Sequence, residues 1–182
     1  MKILETERLV LRQITLGDAP LILALMNDPA FIRYVADRGL RTEADAAGYI
    51  AEKMLPLYEQ FGFGPYAVDL KDGGVSIGTC GLIKRDSLPD PDLGYAFRRE
   101  FWGRGLAYEA AAAVKDYARN ALGLRTLIAL VSPDNLSSIK LLEKLGLRFE
   151  KMIQLPGYEG ESRLYVESLE SSSELTPKAG SA

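Results

Sequence analysis

A glycine-bearing loop over residues 101–105 runs straight into a helical stripe formed by Leu106, Ala110, Val114, Tyr117 and Ala121. Short apolar stretches at 93–97 and 126–131 flank this unit and read as strands. Apolar residues at helical spacing share one face, and that face must be buried. A helix set between two strands covers a sheet, so the chain reads as an α/β or α+β domain.

The same loop carries chemistry. A helix start has amide groups without internal partners and a partial positive charge, which together bind phosphate. Gly103 and Gly105 let the backbone approach a ligand and take conformations closed to other residues. Arg104, with Arg98 and Arg99 nearby, adds guanidinium donors. A tight strand-to-helix turn is the competing reading of the two glycines. A dinucleotide site would need a third glycine where Tyr108 stands, and an acid about 20 residues further on. The stretch 126–131 carries none.

Around this unit the chain alternates between strand and helix patterns. Residues 9–14 read as a first strand. Thr15 and Asp18 then have capping-box spacing before a helix through Met26, which Asp28-Pro29 ends. Thr42 and Asp45 open a longer helix to Phe61, and Pro56 inside it predicts a kink or break. Residues 66–70 and 75–83 form a hairpin around Lys71-Asp72-Gly73-Gly74, the second strand weakened at Gly78 and Gly81. A polar loop, 85–92, leads into the strand at 93–97. Asn135 caps a helix that ends at Gly146, and strands at 148–155 and 163–169 follow. The expected domain spans 1–169. The serine-rich remainder, 170–182, reads as a disordered tail.

Composition removes whole classes of chemistry. The 182 residues contain no histidine and one cysteine, Cys80. Nucleophile–histidine machinery and a zinc cage are therefore excluded, and so is an internal disulfide. A net charge of −3 shows no broad basic footprint for nucleic acid. Apolar runs fall short of the roughly 20 residues that span a bilayer, and the acidic start does not read as a signal peptide. A cytoplasmic protein without membrane, nucleic-acid or metal partners is expected.

Two motifs carry a family resemblance. Trp102-Gly103-Arg104-Gly105-Leu106-Ala107 resembles the acetyl-CoA pyrophosphate loop of the GNAT acetyltransferase superfamily, Q/R-x-x-G-x-G/A. Asn135-Leu136-Ser137-Ser138, followed by Glu143-Lys144-Leu145-Gly146-Leu147, resembles that family's N-x-x-S/A … E-K-x-G-F helix. Trp102 in place of Gln or Arg, with Leu93-Gly94-Tyr95-Ala96-Phe97 before it, is similar to the branch that acetylates N-terminal amines of ribosomal proteins. The resemblance covers about residues 6–169.

The resemblance implies a GNAT fold: a central, mixed, mostly antiparallel twisted sheet, splayed in the middle and flanked by about four helices. It implies an acetyl-CoA-dependent N-acetyltransferase, with acetyl moving to a protein N-terminus or small amine by direct attack in a ternary complex. A monomer or homodimer fits the family, and a catalytically inactive acyl-CoA sensor or scaffold is the alternative function. Tyr95, Ala96 and Phe97 would hold the pantetheine arm. Trp102, Gly103, Arg104, Gly105, Leu106, Ala107 and Tyr108 would hold the pyrophosphate. Asn135 would reach the arm, serve as a helix cap, or do both. The family's usual tyrosine acid is replaced here by Leu142, which leaves Ser138 as the nearest donor to the sulfur, with a small packing residue as its other reading. Asp92 is a candidate base, or else a solvated loop carboxylate. Glu109 reads as structural. Arg33, Tyr34, Tyr158, Glu159 and Glu161 are candidate walls of the acceptor site, where acids would suit a cationic acceptor.

Overall fold

A computed structural model describes residues 1–170, so the expected tail lies, beyond Glu170, outside the described residues. Eight strands form one sheet: β1 (Lys2–Glu5), β2 (Leu9–Gln13), β3 (Pro65–Leu70), β4 (Ser76–Ile83), β5 (Asp92–Phe97), β6 (Thr126–Val131), β7 (Arg148–Gln154) and β8 (Glu161–Ser168). Their spatial order is β1-β2-β3-β4-β5-β6-β8-β7. Neighbours are antiparallel except β5 and β6, which run parallel and share the single register pair Asp92↔Ile128. The mixed, centrally splayed sheet is therefore as expected. The edge strand β1 is an addition. It pairs with β2 through Leu4↔Leu11 and Glu5↔Val10, a partnership that its own short sequence does not announce.

The helices are α1 (Ala19–Met26), α2 (Pro29–Tyr34), α3 (Glu43–Tyr49), α4 (Leu55–Phe61), α5 (Leu106–Asn120) and α6 (Leu136–Leu145). Asp28-Pro29 does more than end α1. The Asp28 carboxylate accepts from the Ala30 amide at 2.8 Å, and Pro29 sits in the first turn of α2, so the pair also starts a helix. Helix α3 begins at the expected Thr42/Asp45 capping box. Pro56 neither stops nor sharply breaks the helix that follows. It lacks an N–H, and its ring would meet the carbonyl one turn back. The chain absorbs that fault as a π segment, Ile50–Met54, between α3 and α4. Counted as one body, α3 through α4 gives five helices among the described residues, close to the expected four.

Strand alternation sorts the core onto two faces. Tyr66 and Val68 join Val114, Ala118, Leu127 and Leu142 under α5 and α6. Ala67, between them, joins Ile22, Ala46 and Ile50 under α1 and α3. Arg12 on β2 bridges Asp18 and Asp69, each at 2.7 Å, and so ties the start of α1 to the sheet. Gly78 and Gly81 leave β4 unbroken. They are small because neighbours come close: a Cβ on Gly81 would collide with the Gly64 carbonyl and lie 2.7 Å from Pro65 Cα.

Two glycine substitutions should therefore move stability in opposite directions, as read by urea denaturation. Gly81→Ala overpacks a backbone contact and is expected to cost about 1–3 kcal/mol. Gly48→Ala, inside α3 with open space around it, is expected to add about 0.5–1 kcal/mol.

Candidate active site

Beyond Asp92, β5 keeps its β4 partner and loses β6. One backbone edge of Tyr95, Ala96 and Phe97 is thereby left open to a ligand. A cleft of about 760 Å³ occupies the opening. Its walls are Tyr95 to Phe97 on β5, the loop before α5, the first residues of α5, and Asn135, Ser137, Ser138 and Leu141 at α6. Helix α2 closes the remaining side with Pro29, Ala30, Phe31, Arg33 and Tyr34, and Val35 follows at its end.

The loop before α5 has the geometry the sequence suggests. Gly103 and Gly105 have φ of 73° and 74°, a left-handed backbone that favours glycine. Among the described residues, the amides from Gly103 to Tyr108 donate to no internal acceptor, and the first bond into the helix runs from Glu109 N to Gly105 O at 3.0 Å. Consecutive free amides at a helix start form an anion cradle. Trp102 is half exposed, and its indole donates to the Phe97 carbonyl at 2.7 Å, pinning the loop to the end of β5. Arg104 does not line the cleft. Its side chain lies over the Phe101 ring and its carbonyl accepts from Arg8. Arg99 lies over Trp102 and is bound to Asp28 at 2.7 Å, while Arg33 reaches Asp134 at 3.1 Å. These two ion pairs fasten α2 across the cleft, one at the loop before α5 and one at the loop before α6.

Glu109 has the structural role expected of it. It accepts from Thr6, from the Arg8 amide and from the Arg8 side chain at 2.6 Å, which binds the β1–β2 turn to α5. Burial raises its carboxyl, and these bonds outweigh burial to hold it below the usual carboxylate value. Asn135 caps α6 through the Ser138 amide at 3.4 Å and also lines the cleft.

Proton-handling groups divide between the two sheet faces. Tyr95 belongs to the α5/α6 face and meets Ser138 there, inside the cleft. Burial pushes the Tyr95 phenol up to about 12, with the Ser138 hydroxyl pulling against it. Tyr95 thus stays protonated as a donor, a role its place in the motif does not reveal. Asp92 lies on the other face. It is not a solvated loop carboxylate: it is 3% exposed, opens β5, and pairs with Arg85 at 2.9 Å. Burial pushes its carboxyl up to about 6 against the pull of Arg85. Arg85 also reaches the Tyr158 hydroxyl at 3.2 Å, and Arg38 reaches the same oxygen at 2.7 Å. Glu159 and Glu161 are exposed. The charges gathered beside Asp92 are therefore arginines, not the acids considered for the acceptor wall. Neither Arg38 nor Arg85 stands out in the sequence, because their partners lie 120 and 73 residues away.

The acetyltransferase (GNAT) domain family matches residues 8–148, and the chain belongs to that family. It is 31% identical to an uncharacterized N-acetyltransferase, p20, of Bacillus licheniformis, over 85% of this chain and 86% of the relative. The crystal structure of an acetyltransferase from Agrobacterium tumefaciens str. C58 superposes with a TM-score of 0.77 at 30% identity, covering 92% and 94% of the two chains. A ribosomal L7/L12 alpha-N-protein acetyltransferase, solved with coenzyme A, shares the fold at a TM-score of 0.78 and 15% identity, covering 92% and 98%. Among the described residues no helix is long and apolar enough to cross a membrane, and no group of three or more His, Cys, Asp or Glu is placed to hold a metal.

The Asp92 assignment has a direct check. Carboxyl-carbon NMR should find one aspartate titrating near 6. Arg85→Gln removes the charge that opposes burial and should move that titration upward.

Proposed function

We propose that this acetyltransferase uses acetyl-CoA as donor and transfers acetyl to a primary amine, a protein N-terminus or small amine, by direct attack in a ternary complex. The observation that carries the reading is the run of free amides from Gly103 to Tyr108, set at the mouth of a cleft that follows the open edge of β5. A pyrophosphate suits the amides and the helix start. A pantetheine arm suits an unpaired strand edge, which offers alternating donors and acceptors. In this reading the thioester would lie toward the point where β5 and β6 separate. The coenzyme A complex of the ribosomal-protein acetyltransferase, which shares the fold, supports the choice of ligand.

The chain's residues supply three things. The cleft holds donor and acceptor in one place, which removes several kcal/mol of barrier. Backbone amides of β5 polarise the thioester carbonyl and stabilise the oxyanion. Tyr95, with Ser138, stands on the cofactor side as proton donor to the departing sulfur. This pair takes the task that Leu142 cannot perform. The sensor-or-scaffold reading rested on the missing tyrosine, and a protonated Tyr95 in the cleft removes most of its support. The function is assigned to the domain over 1–169, acting in the cytoplasm.

Calorimetric titration with acetyl-CoA tests the donor site. Wild type is expected to bind in the micromolar range. Ala107→Trp keeps the helical backbone and fills the cleft beside the free amides, so affinity should fall at least tenfold with the fold intact by circular dichroism. Unchanged binding in the variant, or none in folded wild type, sinks the assignment.

A further inference from the structure

The hydroxyl of Tyr158 is bonded in an unusual way. It accepts from Arg38 Nη2 at 2.7 Å and from Arg85 Nη1 at 3.2 Å, and among the described residues it donates to nothing. A phenol oxygen has two acceptor positions and one proton to give. Here both acceptor positions face cations and the proton is uncommitted. Ionisation would give up no hydrogen bond and would turn two cation–neutral bonds into cation–anion ones. Both guanidinium carbons also lie near the Tyr158 ring, at 5.5 and 5.6 Å.

The surroundings keep this charge balance positive. Arg85 is shared with Asp92. Arg38 has no carboxylate within ion-pair distance among the described residues, and its Nε is buried without a partner. The other group facing the tyrosine is Gln154 on β7, whose amide donates to the Tyr158 carbonyl and holds the loop. Two cations thus meet around a single phenol, and one of them is shared with an acid. A phenolate would complete the balance.

Position matters as much as charge. Asp92 is the residue at which β5 and β6 last pair, and Arg85 links it directly to Tyr158. The phenol is therefore linked through Arg85 to the residue where the splay begins, on the face opposite Tyr95 and Ser138. An acceptor amine entering from that face would approach the thioester on the side that carries Tyr158. We propose that Tyr158 is the catalytic base that deprotonates the acceptor ammonium, with Arg38 and Arg85 as positioning residues that hold it ionised.

The step balances. The phenolate takes one proton from the ammonium, giving phenol and free amine. The amine nitrogen bonds to the thioester carbonyl carbon, the C–S bond breaks, and the electron pair leaves on sulfur. Tyr95 gives its proton to that thiolate, the second nitrogen proton passes to solvent, from which Tyr95 is reprotonated, and the phenol of Tyr158 returns its proton to solvent. Burial alone would raise the phenol, but the charge of Arg85 and the bonds from both arginines prevail and lower it. That lowering makes the phenolate available at a lower pH than for an ordinary tyrosine. The proposal rests on the acetyl-transfer reading, although its first test does not.

Alkaline titration of tyrosinate absorbance on the full chain, wild type against Tyr158→Phe, reads the phenol without any acceptor. The difference should show one tyrosine ionising below the ordinary phenol value of ~10, and Arg38→Gln should move that transition upward. A difference transition at or above the ordinary value overturns the proposal, whether or not acetyl-CoA binds. With any amine that is turned over, the acid limb of kcat/KM against pH should follow the measured transition. In Tyr158→Phe that limb should vanish and kcat/KM should drop on the order of 10²-fold. In Arg38→Gln the limb should shift upward with the titration. An acid limb unmoved in both variants rejects the base role and leaves the tyrosine a structural prop.

Discussion

One rung of backbone pairing, Asp92 with Ile128, joins the two halves of the sheet. Everything functional follows from how little it does. A full parallel ladder between β5 and β6 would close the cleft and satisfy the backbone edge that a ligand needs. No ladder at all would leave two sheets without a common frame. The rung is stabilised from both sides: β6 pairs with β8 along its whole length, and β5 does the same with β4. The strands can therefore diverge without loss of order. Helix α5 then spans the gap, with its free amides at one end of the cleft and its Val114 and Ala118 stripe in the core.

The same divergence separates the proton traffic. Side chains alternate across a strand, so neighbours on β5 serve opposite faces. Tyr95 meets Ser138 on the side of α5 and α6. Asp92 meets Arg85 on the other, within reach of Tyr158. In a chain without histidine, acid and base work near neutrality must come from groups moved off their ordinary values. Burial raises the Tyr95 phenol, and two guanidiniums lower that of Tyr158 against the pull of burial.

What the sequence discloses is what neighbouring residues decide. Gly103 and Gly105, the Thr42/Asp45 box and the Asn135 cap all act within a few residues of themselves, and each is found where its spacing puts it. Helix α2 is local too, yet six residues give little periodicity to see, and Asp28-Pro29 signals an end as readily as a beginning. The π segment before Pro56 answers a clash that spacing alone reads as a break. Strand β1 exists only because β2 offers it an edge. The arginine pair around Tyr158 is the extreme case, assembled from three separate loops that meet only when the sheet is complete. The burial of Asp92 has the same origin, since nothing in a polar, proline-containing loop marks its final carboxylate for the interior.

Helix α2 is the lightly held side of the cleft. It covers the cleft, contributes no fully buried side chain, and is fastened by two exposed ion pairs, Asp28–Arg99 and Arg33–Asp134. Exposed pairs of this kind hold with only about 0–1 kcal/mol each and weaken as salt rises. The cover is thus a latch rather than a wall. Both fastenings are surface charges, so this side of the cleft is held far less firmly than the walls that β5, α5 and α6 build on the core.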